Sequence, residues 1–477
     1  MGIYFNGYQT PPGGKREVAI TNPATGETLK KLPLADNGDG KRILDVAEDG
    51  FRQWSSFSLP DRADILMRFA CLLEENIEEI ALTECRDMGK VINECKGEVS
   101  HSANVAKGYV ERAKHLQGRV VSDNQRGLEK DIIFTRHEPL GVILCIVPFN
   151  YPVELFMHKV IPALIMGNAA VVKVPSENPL PLLRVTELLV EAGVPAGAIS
   201  LVFANHEFVT EELTRSSRVS AITLTGSTQA GIEVMRNSAD TLHRVYFELG
   251  GNDPLLVFED ANLDYAADEI VSSRMGNTGQ ICCASKRFIV HRSVVDTLTK
   301  KLTVRLDALV RGNPEDTDTQ LGCLVSAKAA ATIQKQVAET IAQGARCVYG
   351  NKLDRETFME PVILVDVTPE MDIAKDMEVF GPVIPIIPFD TVEEAIQIAN
   401  ASCYGLEAGI ICGNMEIALN IASKLQAGSV VVNGGGSYRH MDMPFGGYKM
   451  SGLGRESIST TLEEFSQEKN YIIKHVL

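Results

Sequence analysis

The chain has 477 residues, 45% of them apolar and 23% charged, with no biased tract. That is too long for one core and, at roughly 150 residues per domain, predicts two or three domains of an ordinary soluble protein. A formal net charge of −16, with no block of Lys and Arg, argues against nucleic acid or an anionic membrane as the main partner.

The opening stretch carries no apolar run of signal-peptide length, and Asn6 stands where an N-myristoylation signal after Gly2 wants Ser or Thr. The first 115 residues read as strands followed by helices. Ile65, Phe69, Leu72, Leu73, Ile77 and Ile80 recur at three- and four-residue spacing, which predicts one amphipathic helix over 61–90. A second, polar helix is expected over 94–115. Residues 117–137 change character: two β-prone runs flank a polar turn, the signal of a hairpin that projects from the body. From 141 onward short β-rich runs alternate with helical stretches, first at 141–147, 169–174, 199–203, 220–224 and 244–247. A second series follows at 254–258, 286–291, 361–367, 382–389, 408–412 and 429–433. This alternation predicts an α/β fold with parallel sheets covered by helices. The most apolar stretch, 160–172, lies between Lys159 and Lys173 and is too short to span a bilayer. No membrane partner and a cytoplasmic location are expected.

Ten cysteines are scattered with no C-x-x-C pair, so neither disulfides nor a zinc site is expected, and no metal. The pair Cys282–Cys283 is the exception that draws attention. Alone it reads as core packing. The preceding "GNTGQ" is small and polar, however, and a helix starting near 280 would lower a thiol pKa through its dipole. Doubly wound sheets bind ligands beyond the carboxyl ends of their strands. Glu248 sits at such an end, before a double glycine, and reads either as a general base of raised pKa or as a helix-capping or surface residue. Asn150, between Pro148 and Pro152, reads either as an oxyanion donor on a stiff turn or as a turn residue bonding its own backbone.

Eight stretches resemble the aldehyde dehydrogenase superfamily in family order: "PFNYP" (148–152), "PALIMGNAAVVKVPSENPL" (162–180), "AGVPAGAISLV" (192–202), "TLTGSTQAG" (223–231), "FELGGNDP" (247–254), "GQICC" (279–283), "EVFGPV" (378–383) and "MPFGGYKMSGLGRE" (443–456). The resemblance implies a Rossmann-like cofactor domain (1–116 and 138–247), an α/β catalytic domain (248–436) and a small β bridging element (117–137 and 457–477). By the same resemblance Cys282 is the nucleophile, Asn150 holds the oxyanion with the Cys282 amide, Glu248 activates water, and Lys159 shares in the proton relay. Product release is hydrolytic; coenzyme A acylation, or an idle ligand-binding homologue, are the alternatives.

There is no G-x-G-x-x-G; the resemblance places NAD or NADP at Gly226, Ser227 and Gly231, at a helix start suited to pyrophosphate. Pro148, Phe149, Leu249 and Lys173 flank it, with Glu378 and Phe380 at the nicotinamide ribose. Many NAD-preferring relatives carry Glu where this chain has Ser176, so NADP is slightly favoured. Tyr151, Leu155, His158, Tyr438, Arg439 and Phe445 are implied at the aldehyde channel. Arg439 suits an anionic group, or an ion pair with Asp442 or a neighbour. A short polar or anionic aldehyde is expected, of the succinic semialdehyde or lactaldehyde type. Gln467 replaces a Glu often found in the family's proton exit route. The bridging element implies a homodimer or homotetramer, since a lone C-terminal strand exposes its edge.

Overall fold

The computed structural model describes residues 3–5, 8–10, 16–122 and 124–475. Two large sheets organise the chain. In the six-stranded sheet the strands run in the order Gly452–Leu453, Arg244–Glu248, Ala221–Thr225, Val142–Ile146, Ala169–Lys173 and Ile199–Val202. All pair in parallel except the short first one. The chain winds outward from Val142–Ile146 in one direction, then returns to its other side with Ala221–Thr225. The crevice at this switch point opens beyond the carboxyl ends of those two strands, where doubly wound sheets take their ligands.

The seven-stranded sheet has the order Arg346–Tyr349, Val362–Val365, Val383–Phe389, Ser285–His291, Asp253–Val257, Glu407–Ile411 and Ser429–Val432. It too is parallel but for its first strand. Its central strands are buried on both faces, as their apolar runs 255–257, 288–290 and 410–411 require. Each sheet has its own apolar core, one gathering Trp54, Phe156 and Leu462, the other sheet's two faces gathering Ile289, Phe389 and Phe288, Ile384.

The hairpin expected at 117–137 is present. Val120–Val121 pairs with Ile132–Pro139, and the C-terminal strand Ser466–Ile473 pairs with the latter's other edge over eight residues. Phe134 and Tyr471 stack across this three-stranded sheet at 5.1 Å. The helix Ile458–Glu464 that precedes the C-terminal strand packs into the first core through Ile458 and Leu462, not into the hairpin sheet.

Two local expectations need correction. The helix expected over 61–90 is two helices, Leu59–Glu75 and Ile77–Met88. Asn76 breaks it, donating its side-chain amide to the Leu72 carbonyl at 2.7 Å with a non-helical backbone. The first of the two begins in a capping box of Ser58 and Asp61. The helix expected to be polar, Ile92–Ala113, buries Cys95, Glu98, Ser102 and Tyr109 among its neighbours. Glu98 bonds Lys90 and the Val153 amide, and Tyr109 bonds His158, long-range partners that composition does not reveal.

Candidate active site

Asn150 lies in the turn between the strand Val142–Ile146 and the helix Pro152–Ile165, and it is buried. Its side-chain Nδ2 donates to the Gln280 carbonyl at 3.1 Å, across the interface to the cysteine loop, and not to its own turn. Its backbone oxygen accepts from Asn277 Nδ2 at 2.9 Å and faces Lys90 Nζ at 3.3 Å. A primary amide has two N–H donors, so one remains for a ligand oxygen.

The cysteine loop is irregular. Asn277 and Thr278 adopt left-handed backbone (φ 47° and 53°) inside the tight turn Gly276–Gly279. Gly279 follows with φ 79°, and a Cβ there would lie 2.4 Å from the Gly381 backbone. Only glycine permits that approach. Cys282 and Cys283 occupy a turn leading directly into the strand Ser285–His291. No helix starts at 280, so the expected dipole is absent. The Cys282 thiol is instead pushed up by the adjoining Cys283 thiol, by burial and by the Glu248 carboxylate. Cys283 is drawn down to about 6 by the Cys282 thiol, with Arg439 and Lys286 adding to the pull. Lys286 Nζ bonds the Cys282 carbonyl and lies 3.3 Å from Glu378 Oε1.

Glu248 ends the strand Arg244–Glu248 and is buried, with no N–H or O–H donor to either carboxylate oxygen. Burial drives its carboxyl up to about 8, the Cys282 thiol pulling part of the way back. A helix-capping or surface role is excluded by this placement. Cys282, Tyr151 and Phe445 cluster in one small apolar group beside it.

Lys159 Nζ lies 3.1 Å from Glu456 Oε2, and Arg439 Nη2 bonds the other oxygen of the same carboxylate. Burial alone would raise the Glu456 carboxyl, but Lys159, His158 and Arg439 outweigh it and hold it well below the usual range. Asp442 takes Ser459 and not Arg439. The Arg439 guanidinium sits 4.6 Å from the Phe445 ring centroid. His158 is buried, its Nδ1 3.0 Å from the Tyr109 hydroxyl. Burial and Arg439 lower it to about 3. Leu155 points into the first core, Tyr151 lies under Lys90 Nζ at 3.8 Å, and Tyr438 is exposed.

Residues 10–471 match the model of the aldehyde dehydrogenase family. The chain belongs to that family. It is similar to a lactaldehyde dehydrogenase of Methanococcus maripaludis, at 33% identity over 97% of this chain and 98% of the relative. Among solved structures, an indole-3-acetaldehyde dehydrogenase complexed with NAD+ superposes with a TM-score of 0.95 at 34% identity, over 99% of this chain and 97% of the other. A glyceraldehyde-3-phosphate dehydrogenase of Methanocaldococcus jannaschii complexed with NADP gives 0.91 at 32% identity, over 96% and 100%. The protein is therefore an aldehyde dehydrogenase, an oxidoreductase that uses NAD or NADP.

The residues expected at the cofactor gather around one helix start. Ser227 caps the helix Thr228–Ser238, accepting from the Ala230 amide at 3.2 Å, and Gly226 lies just before it. Gly231 closes the cradle, for a Cβ there would meet the Leu249 side chain at 2.7 Å. Lys173 ends its strand with no ion pair among the described residues, and burial lowers its pKa. Ser176 and Glu177 follow, both exposed. Glu378 Oε1 accepts from the Gly251 amide at 3.2 Å, and Phe380 packs edge-on against Phe149 at 5.9 Å, beside Pro148.

Sequence reading passed over several residues of this aldehyde dehydrogenase site. Glu456 lay inside the quoted "GLGRE" and only its two cations single it out. Asn277 and Gln280, in sequence only a small polar approach to the cysteines, lace the loop to Asn150. Lys90, Glu84 and Glu98 carry no local signal; Glu98 Oε1 accepts the Val153 and Glu154 amides at 2.8 and 3.0 Å and so caps the helix bearing Lys159. Among the described residues no group of three or more His, Cys, Asp or Glu is placed to hold a metal, and no helix is long and apolar enough to cross a membrane.

Proposed function

We propose that this enzyme oxidises a short polar or anionic aldehyde, of the lactaldehyde or succinic semialdehyde type, to the free acid. The carrying observation is that the buried Glu248 carboxyl faces the Cys282 thiol while the Asn150 amide bonds the Gln280 carbonyl, two residues before that cysteine. Glu248, a base of raised pKa, takes the Cys282 thiol proton as sulfur attacks the aldehyde carbon, giving a thiohemiacetal. The free N–H of Asn150 Nδ2 and the Cys282 amide hold the oxyanion. Lys173, Ser176 and the 226–231 turn bind the dinucleotide, and Glu378 and Phe380 orient its nicotinamide end. When bound, the cofactor accepts the hydride. Glu248 gives up the thiol proton to solvent and, ionised again, deprotonates a water that adds to the thioester on Cys282; the carbon–sulfur bond breaks, the thiolate returns to Cys282 and the acid leaves.

NADP is slightly preferred in this reading, because Ser176 leaves room beside Lys173 for a 2′-phosphate. The lactaldehyde dehydrogenase likeness supports a short hydroxylated substrate, and the glyceraldehyde-3-phosphate dehydrogenase likeness an anionic one. Val120, Ile472 and Ile473 stand exposed at the free edges of the hairpin sheet, which supports a homodimer or homotetramer built through that sheet. Ten free thiols fit the reducing cytoplasm.

The test is NADPH and NADH formation across acetaldehyde, lactaldehyde, succinic semialdehyde, glyceraldehyde 3-phosphate and benzaldehyde, with Cys282→Ala as control. Turnover of a hydroxylated or anionic aldehyde, abolished in the control, is the expected result. Preference for benzaldehyde or acetaldehyde would overturn the substrate class.

A further inference from the structure

Lys286 is the second residue of the strand Ser285–His291, four residues after Cys282, and its side chain is buried. A buried ammonium must spend its three donors on acceptors, because an unpaired charge out of water is strongly unfavourable. Lys286 Nζ donates to the Cys282 carbonyl and lies 3.3 Å from Glu378 Oε1. The same Oε1 accepts the Gly251 amide at 3.2 Å. Gly251 follows Glu248 by three residues and abuts the cysteine turn, for a Cβ there would lie 3.1 Å from the Cys282 carbonyl oxygen. The end of the Glu248 strand, the cysteine turn and the Glu378 loop, far apart in sequence, therefore meet at one ammonium.

We propose that Lys286 is a positioning residue for hydride transfer: it holds the Glu378 carboxylate and the Cys282 backbone in register, so that the nicotinamide end of the dinucleotide meets the carbon bound to the thiol. The inference rests on the reading above in which Glu378 orients the nicotinamide end. Glu378 is half-buried, and its Oε2 has no hydrogen-bond partner among the described residues. With Oε1 clamped by Lys286 and the Gly251 amide, Oε2 is left to accept from a ribose hydroxyl. Phe380 flanks the same ammonium, its ring centroid 5.9 Å from Nζ.

A purely structural ion pair with Asp253 is the rival account. Asp253 is buried near Lys286, yet neither of its carboxylate oxygens has a hydrogen-bond donor. Burial drives its carboxyl well above the ordinary range, which weakens it as a counterion. The other cations of this region are spent elsewhere. Arg274, also near Glu378, gives its guanidinium to the Val383, Gly279 and Val379 carbonyls. Arg287 gives its own to the Asn252, Ala374, Ile398 and Ala399 carbonyls. Lys286 is thus the cation that aims Glu378, and a neutral side chain in its place frees that carboxylate to swing. Misplacing reacting partners by about 1 Å costs on the order of a hundredfold in rate.

The test follows the NAD(P)H burst by stopped flow in Lys286→Met, Glu378→Gln and the double variant, using the aldehyde that wild type oxidises fastest and its 1-deuterio form. Lys286→Met should slow the burst about tenfold to a hundredfold, with a deuterium effect that marks hydride transfer as the slow step, while the aldehyde KM stays near the wild-type value. The fluorescence lifetime of bound NADH or NADPH should shorten as the nicotinamide ring gains freedom, a change that lost fold stability alone does not produce. In the Glu378→Gln background the further loss from Lys286→Met should nearly vanish, because both residues act through one carboxylate. A wild-type burst in folded Lys286→Met, or losses that simply add in the double variant, would overturn the proposal. Should Lys286→Met not fold, Lys286→Gln, uncharged but still a donor, decides in its place: a slowed burst supports the proposal and a wild-type burst overturns it. A wild-type burst in Glu378→Gln would instead overturn the cofactor reading on which the role of Lys286 rests.

Discussion

The Lys90 ammonium stands 3.3 Å from the backbone oxygen of Asn150. It is fully buried, bonded to Glu84 at 2.8 Å and to Glu98. Glu98 in turn caps the helix that carries Lys159. One buried cation therefore ties the Asn150 turn to the start of that helix. Lys90→Met leaves two buried carboxylates uncompensated, which costs about 3–5 kcal/mol. Chemical denaturation should show that loss. In the surviving folded fraction kcat should fall more than KM rises, because the Asn150 amide is loosened while the substrate channel is not. A loss below about 1 kcal/mol with normal kcat would mean that the carboxylates simply take up protons.

Acid sensitivity should trace to His158. Its folded pKa of about 3 lies below the ordinary 6.5, so between those values the unfolded chain binds the extra proton. Stability present above pH 6.5 is lost progressively as the pH falls towards 3, on the order of 5 kcal/mol at the acid end. His158→Gln should flatten the fall in melting temperature over that window. An identical acid profile in the variant would assign the loss to other groups.

Glu248 gives a second pH prediction with the opposite chemistry. As a base it must be ionised, and its carboxyl titrates at about 8. Deacylation should therefore climb with pH through that value. Glu248→Gln should form the acyl-enzyme more slowly, because the Cys282 thiol loses its base, still reach one NAD(P)H per site, and then hydrolyse the adduct about 10²–10⁴-fold more slowly. Mass spectrometry of the trapped adduct on Cys282 checks the point; absence of the adduct would remove Glu248 from the hydrolytic step.

The strands are readable because buried parallel strands write themselves as short apolar runs rich in Val, Ile and Leu, as in residues 169–174 and 429–432. The helix break at Asn76 is not, because a single side-chain bond to Leu72 decides it. The short motifs exposed Cys282, Glu248 and Asn150, since each stands beside Gly or Pro at a strand end or turn. The stretch around Cys282 suggests a helix starting near 280, yet Asn277 and Thr278 take left-handed backbone and the chain turns straight into a strand. What pattern cannot reveal is long-range pairing, such as Lys90 with Asn150 or Glu456 with both Lys159 and Arg439. Those contacts join residues far apart in the chain and leave no periodic trace.

Cofactor choice should turn on position 176. Ser176 is exposed just beyond Lys173, where a carboxylate would bond ribose hydroxyls and repel a 2′-phosphate. Ser176→Glu should lower kcat/KM for NADP at least about tenfold, the size of one like-charge contact of about 1.4 kcal/mol, while NAD is kept or improved. Unchanged NADP constants would place the phosphate elsewhere.

Arg439 decides between a substrate role and a purely internal one. Its Nη2 is taken by Glu456, but Nε and Nη1 have no hydrogen-bond partner among the described residues. A guanidinium offers five donors in a fixed fork, so one carboxylate does not saturate it. Lys159 and Arg439 share the single Glu456 carboxylate. A carboxylate or phosphate on the aldehyde would gain about 1.5–3 kcal/mol from a charged hydrogen bond here. Arg439→Met should then raise KM for succinic semialdehyde roughly tenfold or more and leave propionaldehyde nearly untouched. Equal losses on both aldehydes would mean that Arg439 acts only on Glu456, steadying it against Lys159, and that the anion of the substrate is met by another group.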